Sequence, residues 1–531
     1  MPATATPPVT SAVRPFFPIV YVRGYAGTQQ DVEDTVADPF MGFNLGSSKI
    51  RQRWSGEVQR HYFESPLVRL MKDYSYRDAY CAGQDMPPDE KRDPRTIFIY
   101  RYYDCTSSDF GDGRRLGIAD AAKGLSELIL KVRDFLCQKD AEALAAFRVY
   151  LVAHSMGGLI CRCFLQNRNA GDDEARKLVD KVFTYATPHN GIDLELIGNV
   201  PGFLSLNDAN NFNRARIAEY LALDSRGDGD VSSLDGKFDP GRFFNLVGTN
   251  ERDYQVASGL SRKVVGPMSD GLVRITNATT WGPPVGKKNG AAINSPRAFV
   301  YRSHSGYYGI VNSEEGYQNL KRFFFGNIRA TGVLKIEAIS LPPEIQAEFD
   351  KGKKVRASYH IEVILRVRGQ PWDLHRRITD ENSAIFRKYD ELVSADAQDD
   401  SEIRHPTLFS AFLWSDERVD SEDQSLGFSI DIGVLVPQYE VDGLLWFKNH
   451  YEGGYLYRHK INLEATPPKD EKGSWTVKYG LDSESPNDAP NPLDCETTAE
   501  GIVFRVPITQ DTKPGIKAEL EVTANGWNQE R

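Results

Sequence analysis

The chain has 531 residues and a formal net charge of −10, with 40% hydrophobic and 26% charged residues. That length exceeds what one hydrophobic core organises, so at least two domains are expected. The acidic balance argues against nucleic acid as a partner and against a membrane surface held by charge alone, and six scattered cysteines (Cys81, Cys105, Cys137, Cys161, Cys163 and Cys495) make neither a disulfide framework nor a metal-ligand spacing.

From the N-terminus, residues 1–16 are rich in Pro, Thr and Ala and lack the charged start and apolar core of a secretory signal, which reads as a disordered tail. No run of about eighteen apolar residues follows, so no transmembrane helix is expected. The chain reads as cytoplasmic, with export by a signal-independent route as the open alternative. Pro18 to Val22 is a buried-type strand ending in the loop Arg23-Gly24-Tyr25-Ala26-Gly27. Residues 28–95 are irregular and polar, with one helix expected from Pro66 to Tyr80, and read as an insertion near the mouth of a site. The strand Thr96 to Tyr100 precedes a helix from about Leu116 to Lys139, whose Leu125, Leu128, Ile129, Val132, Phe135 and Leu136 share one face.

The next stretch organises the rest. The run Val149-Tyr150-Leu151-Val152-Ala153 leads through His154-Ser155-Met156-Gly157-Gly158 into the apolar segment Leu159 to Leu165. Strand, sharp turn and helix form a nucleophile elbow, which needs small residues two before and two after the serine so that strand and helix approach closely. Ala153 and Gly157 meet that need, with alanine in place of the usual first glycine. Ser155 is the candidate nucleophile. The loop Arg23 to Gly27, straight after the first strand, stands where such an arrangement places half of an oxyanion hole.

Lys181 to Ala186 reads as another strand, followed by Thr187-Pro188-His189-Asn190-Gly191 and a loop-rich stretch, 192–241, placed as a lid. Phe243 to Gly248 and Arg297 to Tyr301 resume the sheet, and Ser313 to Phe325 is a closing helix. Strands alternating with helices imply a mostly parallel sheet covered on both faces, an α/β architecture over residues 17–326. After Gly326 the period changes to two: Tyr359, Ile361, Val363, Leu365 and Val367 alternate with polar residues. Phe428 to Val436 and Ile516 to Val522 repeat the pattern. Residues 327–531 therefore read as an all-β domain, a sandwich, with Asp390 to Glu402 and Asp482 to Asp494 as loops within it.

A serine hydroxyl needs a base, and the base needs a carboxylate to hold its tautomer. His304, in Tyr301-Arg302-Ser303-His304-Ser305-Gly306, follows the last strand and falls at the carboxyl edge of the sheet. His154 is expected to point away from Ser155, and His189 precedes every plausible acid. For the acid, Asp253 and Asp270 compete. Asp270 is preferred because Gly271 allows a tight turn and Leu272 and Val273 can anchor it in the core, whereas Asp253 has polar neighbours.

Five segments together resemble bacterial lipases and esterases of the α/β-hydrolase fold: Pro18 to Tyr25, Ala153 to Gly158, Ala186 to Gly191, Ser269-Asp270-Gly271-Leu272-Val273 and Ser303-His304-Ser305. The resemblance spans about Phe17 to Phe325. It implies carboxylester hydrolysis through an acyl-enzyme without a cofactor, by Ser155, Asp270 and His304, with the backbone N–H groups of Tyr25 and Met156 as oxyanion hole. Arg23 stands where the family usually has histidine, and the C-terminal β domain is not part of the simplest members. The partners expected are an ester or lipid substrate, transient contact with a lipid surface and no nucleic acid, with an unidentified partner for the β domain. A phospholipase, with Arg23 or Arg302 meeting a phosphate, and an inactive binding or delivery module are the alternatives. Asp224-Ser225-Arg226-Gly227-Asp228-Gly229-Asp230 with Asp235 imitates a calcium loop, but Arg226 occupies the third ligand position, so no metal site is assigned.

Overall fold

The computed structural model of the chain describes residues 16–26, 29–38, 40–43, 47–52, 55–56, 58–79, 92–192, 210–223, 229–253, 267–287, 290–306, 309–393, 401–418, 425–441, 451–467, 475–484, 490–498 and 501–528. The tail over residues 1–15, Cys81 and the run Asp224 to Asp228 lie outside them. Apolar β-branched and aromatic runs form the central sheet: β1 (Ile19–Val22), β2 (Arg77–Asp78), β3 (Thr96–Tyr100), β4 (Val149–His154), β5 (Val179–Tyr185), β6 (Phe243–Gly248) and β7 (Arg297–Val300). Their order is β7-β6-β5-β4-β1-β3-β2, and the paired strands are parallel.

Both faces of this sheet are covered. Val20, Val22, Leu151 and Ala153 face a core shared with α1 (Ile118–Cys137) and α2 (Met156–Gln166), while Ile19, Tyr21, Tyr150 and Val152 face α3 (Glu314–Phe325). The strand-by-strand alternation explains why the runs read as continuous apolar segments. This is the mostly parallel, doubly covered α/β architecture anticipated from the strand and helix alternation, and of the α/β-hydrolase type that the resemblance implies. Register also places the loops: Val22 pairs with both Tyr100 and Ala153, so the chain leaves β1, β3 and β4 side by side.

The segment 28–95 is more structured than its polar sequence suggests. It holds a helix, Gln29–Ala37, an antiparallel hairpin of Ser47–Gln52 with Val58–Phe63, and a second helix, Pro66–Tyr74. Ser65 caps that helix with Pro66 in its first turn, and Ser75 ends it at φ 58°, short of the expected Tyr80. The segment then contributes edge strand β2 to the central sheet. In 192–241 the described part includes a helix, Arg214–Leu221, whereas 193–209 and 224–228 lie outside the described residues.

Beyond Gly326 two antiparallel sheets face each other. One runs Thr407–Leu413, Ile328–Ser340, Gly515–Gly526, Gly501–Gln510, Cys495–Thr497; the other is built around Val355–Val367, Leu426–Val441 and Tyr451–Thr466. Leu334 and Leu520 from the first meet Ile361 and Ile430 from the second in one buried core, which makes a sandwich. Among the described residues, no helix is long and apolar enough to cross a membrane.

Candidate active site

Ser155 occupies the turn between β4 and α2 with φ 52° and ψ −124°. Its N–H donates to the Tyr185 carbonyl at 2.9 Å, and its own carbonyl accepts from Gly158 N–H at 3.0 Å. The turn is possible because neighbouring residues lack side chains. A Cβ on Gly157 would stand 2.3 Å from the Val22 carbonyl oxygen, and one on Gly158 would stand 2.2 Å from Thr187 Oγ1. Gly24 is equally constrained, since a Cβ there would fall 2.8 Å from the Ser155 Cβ.

His304 Nε2 lies 2.9 Å from Ser155 Oγ, and His304 Nδ1 lies 2.9 Å from Asp270 Oδ2. All three side chains are buried, with relative exposures of 4%, 3% and 1% for Ser155, His304 and Asp270. The second carboxylate oxygen of Asp270 accepts from Leu272 N–H at 3.0 Å and Val273 N–H at 2.7 Å, so both oxygens are engaged. Gly271 makes this turn at φ 99°, and His304 N–H donates to the Asp270 carbonyl at 3.0 Å. Close approach of the acid and histidine loops depends on Gly248 at the end of β6, where a Cβ would meet Asp270 Cβ at 2.8 Å and the Arg302 carbonyl oxygen at 2.6 Å.

Asp253 is elsewhere: it is exposed and accepts from Asn250 Nδ2 at 2.7 Å. His189 is buried near Thr184 Oγ1, and its carbonyl accepts from Arg162. His154 reaches the histidine loop. Its Nε2 lies 2.9 Å from the His304 carbonyl oxygen, and the two rings are 5.1 Å apart. Burial, followed by the neighbouring His304 ring, lowers its pKa to about 3, so the ring is neutral and Nε2–H donates to that carbonyl. Nothing in the sequence around His154 marks the loop that arrives 150 residues later.

Arg23 and Arg302 are both engaged within the protein. The Arg23 guanidinium donates to the Met41 carbonyl and packs against Gly42; burial lowers its pKa. Arg302 pairs with Glu315 at 2.8 Å and lies over the Phe63 ring. A small cleft is lined by Tyr25, Val32, Tyr102, Ile118, Met156 and Ile160, with Arg115 and Asn211 also on its wall. Tyr25 belongs to the loop after β1, and Met156 opens α2, where the first N–H groups have no partner within the helix. Among the described residues, no group of three or more His, Cys, Asp or Glu side chains is disposed to hold a metal. Asp230 instead accepts from Ser232 and from Trp281 Nε1.

No family model matches the sequence, and no curated protein is similar to it by sequence. Among solved structures, the chain is similar to the lipase BlEst2 of Bacillus licheniformis (14% identity, covering 58% of this chain and 89% of that one, TM-score 0.27). It is likewise similar to phospholipase PlaB of Legionella pneumophila (12% identity, 78% and 86%, TM-score 0.28) and to the metagenomic carboxyl esterase MGS0156 (13% identity, 52% and 64%, TM-score 0.26). At such TM-scores these likenesses carry no functional argument.

Proposed function

We propose that the chain is a serine hydrolase that cleaves carboxylic esters through an acyl-enzyme, with Ser155 as nucleophile, His304 as general base and acid, and Asp270 as the orienting carboxylate. The observation that carries this reading is the hydrogen-bonded series Asp270–His304–Ser155, 2.9 Å at each link, ending on a serine held at φ 52° in a strand-to-helix turn. Asp270 accepts from Nδ1–H, which leaves the Nε2 lone pair facing the serine hydroxyl. As Oγ attacks the ester carbonyl, its proton passes to Nε2, and Asp270 stabilises the imidazolium that forms. The charge on the former carbonyl oxygen is taken by the N–H groups of Tyr25 and Met156. Nε2–H then protonates the departing alkoxide, the C–O bond breaks, and alcohol leaves an acyl group on Ser155. Water repeats the sequence and releases the acid.

An ester of lipid character is the proposed substrate class, in keeping with the resemblance of the five segments to bacterial lipases and esterases. With Arg23 and Arg302 both engaged, neither supports a phosphate-directed reading. Residues 17–326 are assigned as the catalytic domain and 327–531 as the β domain. The test is Ser155→Ala. Because members of such a set act as a unit, turnover of p-nitrophenyl esters should fall by about 10⁴–10⁶ with the fold retained. A fluorophosphonate should label the parent protein and not the variant. Residual turnover within tenfold of the parent, after background subtraction, would reject the assignment. Rates across p-nitrophenyl esters, triglycerides and phospholipids then separate the ester classes.

A further inference from the structure

The loop proposed to supply half of the oxyanion hole has no secondary structure of its own, yet its peptide groups are individually held. Tyr103 Oη accepts from Ala26 N–H at 2.8 Å and donates to the Gly24 carbonyl at 3.1 Å. Tyr102 Oη donates to the Arg23 carbonyl at 2.9 Å, with the Gly24 carbonyl as a second acceptor at 3.2 Å. These tyrosines form the single turn Tyr102–Cys105 directly after β3, and the pairing of Tyr100 with Val22 sets them beside the residues that follow β1. Their rings are buried, 4.3 Å apart, with Tyr100 5.4 Å from Tyr102. A buried hydroxyl needs a partner, and here the partners are the backbone of residues 23–26.

The stereochemical consequence falls on residue 25. In a trans peptide the C=O of one residue and the N–H of the next point in opposite directions. Drawing the Gly24 carbonyl toward the two tyrosines therefore turns the Tyr25 N–H away from them. The Tyr103 hydroxyl bridges Gly24 C=O and Ala26 N–H, so the peptide planes on both sides of Tyr25 are held by one oxygen. Gly24 lies against the Ser155 Cβ, and a small tilt of its peptide is felt at the nucleophile.

We propose that Tyr102 and Tyr103 are positioning residues for the oxyanion loop, whose hydroxyls orient the Gly24–Tyr25 peptide so that the Tyr25 N–H meets the carbonyl oxygen of an ester on Ser155. This rests on the serine hydrolase reading of the site. Burial holds the Tyr102 hydroxyl well above its usual titration range, so it remains a donor at working pH.

The experiment compares Tyr102→Phe, Tyr103→Phe and the double variant in the full chain, using a p-nitrophenyl ester and a fluorophosphonate probe. Losing an oxyanion donor outright costs about 10²–10³ in kcat, and loosening one should cost about 10–100-fold. The expected result for Tyr103→Phe is that fall in kcat, with KM within about threefold. Labelling should slow in parallel, because the phosphoryl oxygen of the probe uses the same donors, and the pH–rate profile should not move. A folded Tyr103→Phe with kcat within twofold of the parent overturns the proposal. So does a loss carried by KM alone, which would place the tyrosines in substrate binding, or a shifted pH profile, which would place their effect on His304. If the double variant does not fold, the single variants decide. Ser155→Ala run alongside separates the two levels: an active Ser155→Ala protein removes the hydrolase reading and this inference with it. An inactive one beside parent-like tyrosine variants removes this inference alone.

Discussion

Ser155 is held where a Cβ crowds its own backbone, a conformation that costs on the order of 1–3 kcal/mol and persists only where the surroundings impose it. Its neighbour extends that rigidity to the histidine. His154 donates Nε2–H to the His304 carbonyl, so the elbow and the histidine loop are joined through two adjacent residues, one by its hydroxyl and the other by its ring. Replacing His154 with leucine should leave that carbonyl without its donor and lower kcat about tenfold with little change in KM. Glutamine, whose carboxamide nitrogen can reach the place of Nε2, should restore most of the loss. Equal kcat for the leucine variant and the parent would dismiss a role for this bond. The juxtaposition of Ser155, Asp270 and His304 was readable because each lies in a short segment whose neighbours must be small or apolar: Gly157 and Gly158, Gly271 to Val273, and the end of β7. The bonds from His154, Tyr102 and Tyr103 were not readable. They join side chains to backbone groups across long sequence separations, and no local pattern marks such partners.

Elements followed the same division. Strands of the central sheet are buried on both faces and stand out as apolar runs, and α1 shows its buried stripe of Ala121, Ala122, Leu125, Ile129 and Val132. Ile328–Ser340 and Tyr451–Thr466 are hidden because small residues blur the alternation: Ala330 and Gly332 take buried positions in the first, and Gly453-Gly454 with a register shift at Tyr455–Tyr457 interrupts the second. The hairpin within 47–63 is hidden in a polar stretch, Ser47-Ser48-Lys49-Ile50-Arg51-Gln52. At this scale α2 does more than follow the elbow. From its buried face Arg162 donates to the carbonyls of His189 (2.8 Å), Val231 (2.7 Å) and Ser233 (2.9 Å) and to Gln166 Oε1 (2.9 Å). One fully buried guanidinium thus ties the helix to the loop after β5 and to the segment before β6, at the two ends of the stretch 192–241. Burial lowers its pKa to about 10, which still leaves it charged near neutrality. Arg162→Met keeps much of the volume but strands the buried His189 and Val231 carbonyls, each worth about 1–3 kcal/mol when unpaired, so a loss of ~2–5 kcal/mol is expected, while the Ser233 carbonyl keeps its bond from Gln166 Nε2. Thermal and urea unfolding measure it, and an unchanged midpoint would show that those carbonyls find other donors.

Across the whole molecule, the β sandwich is built onto the central parallel sheet. Phe323 packs against Phe412 at 5.0 Å and Trp527 at 5.7 Å, and Glu417 pairs with both Lys321 and Arg322. Near the C-terminus, Trp527 Nε1 donates to the Phe323 carbonyl and Asn528 Nδ2 to the Phe324 carbonyl, each at 2.8 Å. Lys181 of β5 is buried there, donating to the Phe324 carbonyl at 3.1 Å. The second contact runs along edge strand β7. There His375, from the strand His375–Arg377, meets the Phe299 ring edge-on at 5.5 Å, with Arg377 over the same ring at 4.2 Å. His375 is 2% exposed, and among the described residues neither ring nitrogen has a hydrogen-bond partner. Burial first, and the Arg377 and Arg297 charges after it, hold its pKa well below the usual histidine range. Such a group is neutral in the folded chain and takes up a proton only on unfolding. Its stabilising contribution is therefore present above about pH 6.5 and is lost as pH falls from there toward the folded value, because the unfolded state then binds more protons. Stability should decline between about pH 7 and 5, by up to ~1.4 kcal/mol per pH unit for each histidine of this kind. His189, also fully buried with its pKa lowered by burial, adds to the same slope. His375→Phe retains an aromatic ring against Phe299 and removes one titrating site, so unfolding midpoints of variant and parent should converge, or cross in the variant's favour, as pH is lowered. Parallel curves from pH 7.5 to 5 would show that His375 gains its proton without unfolding, and that this junction opens locally before the molecule as a whole.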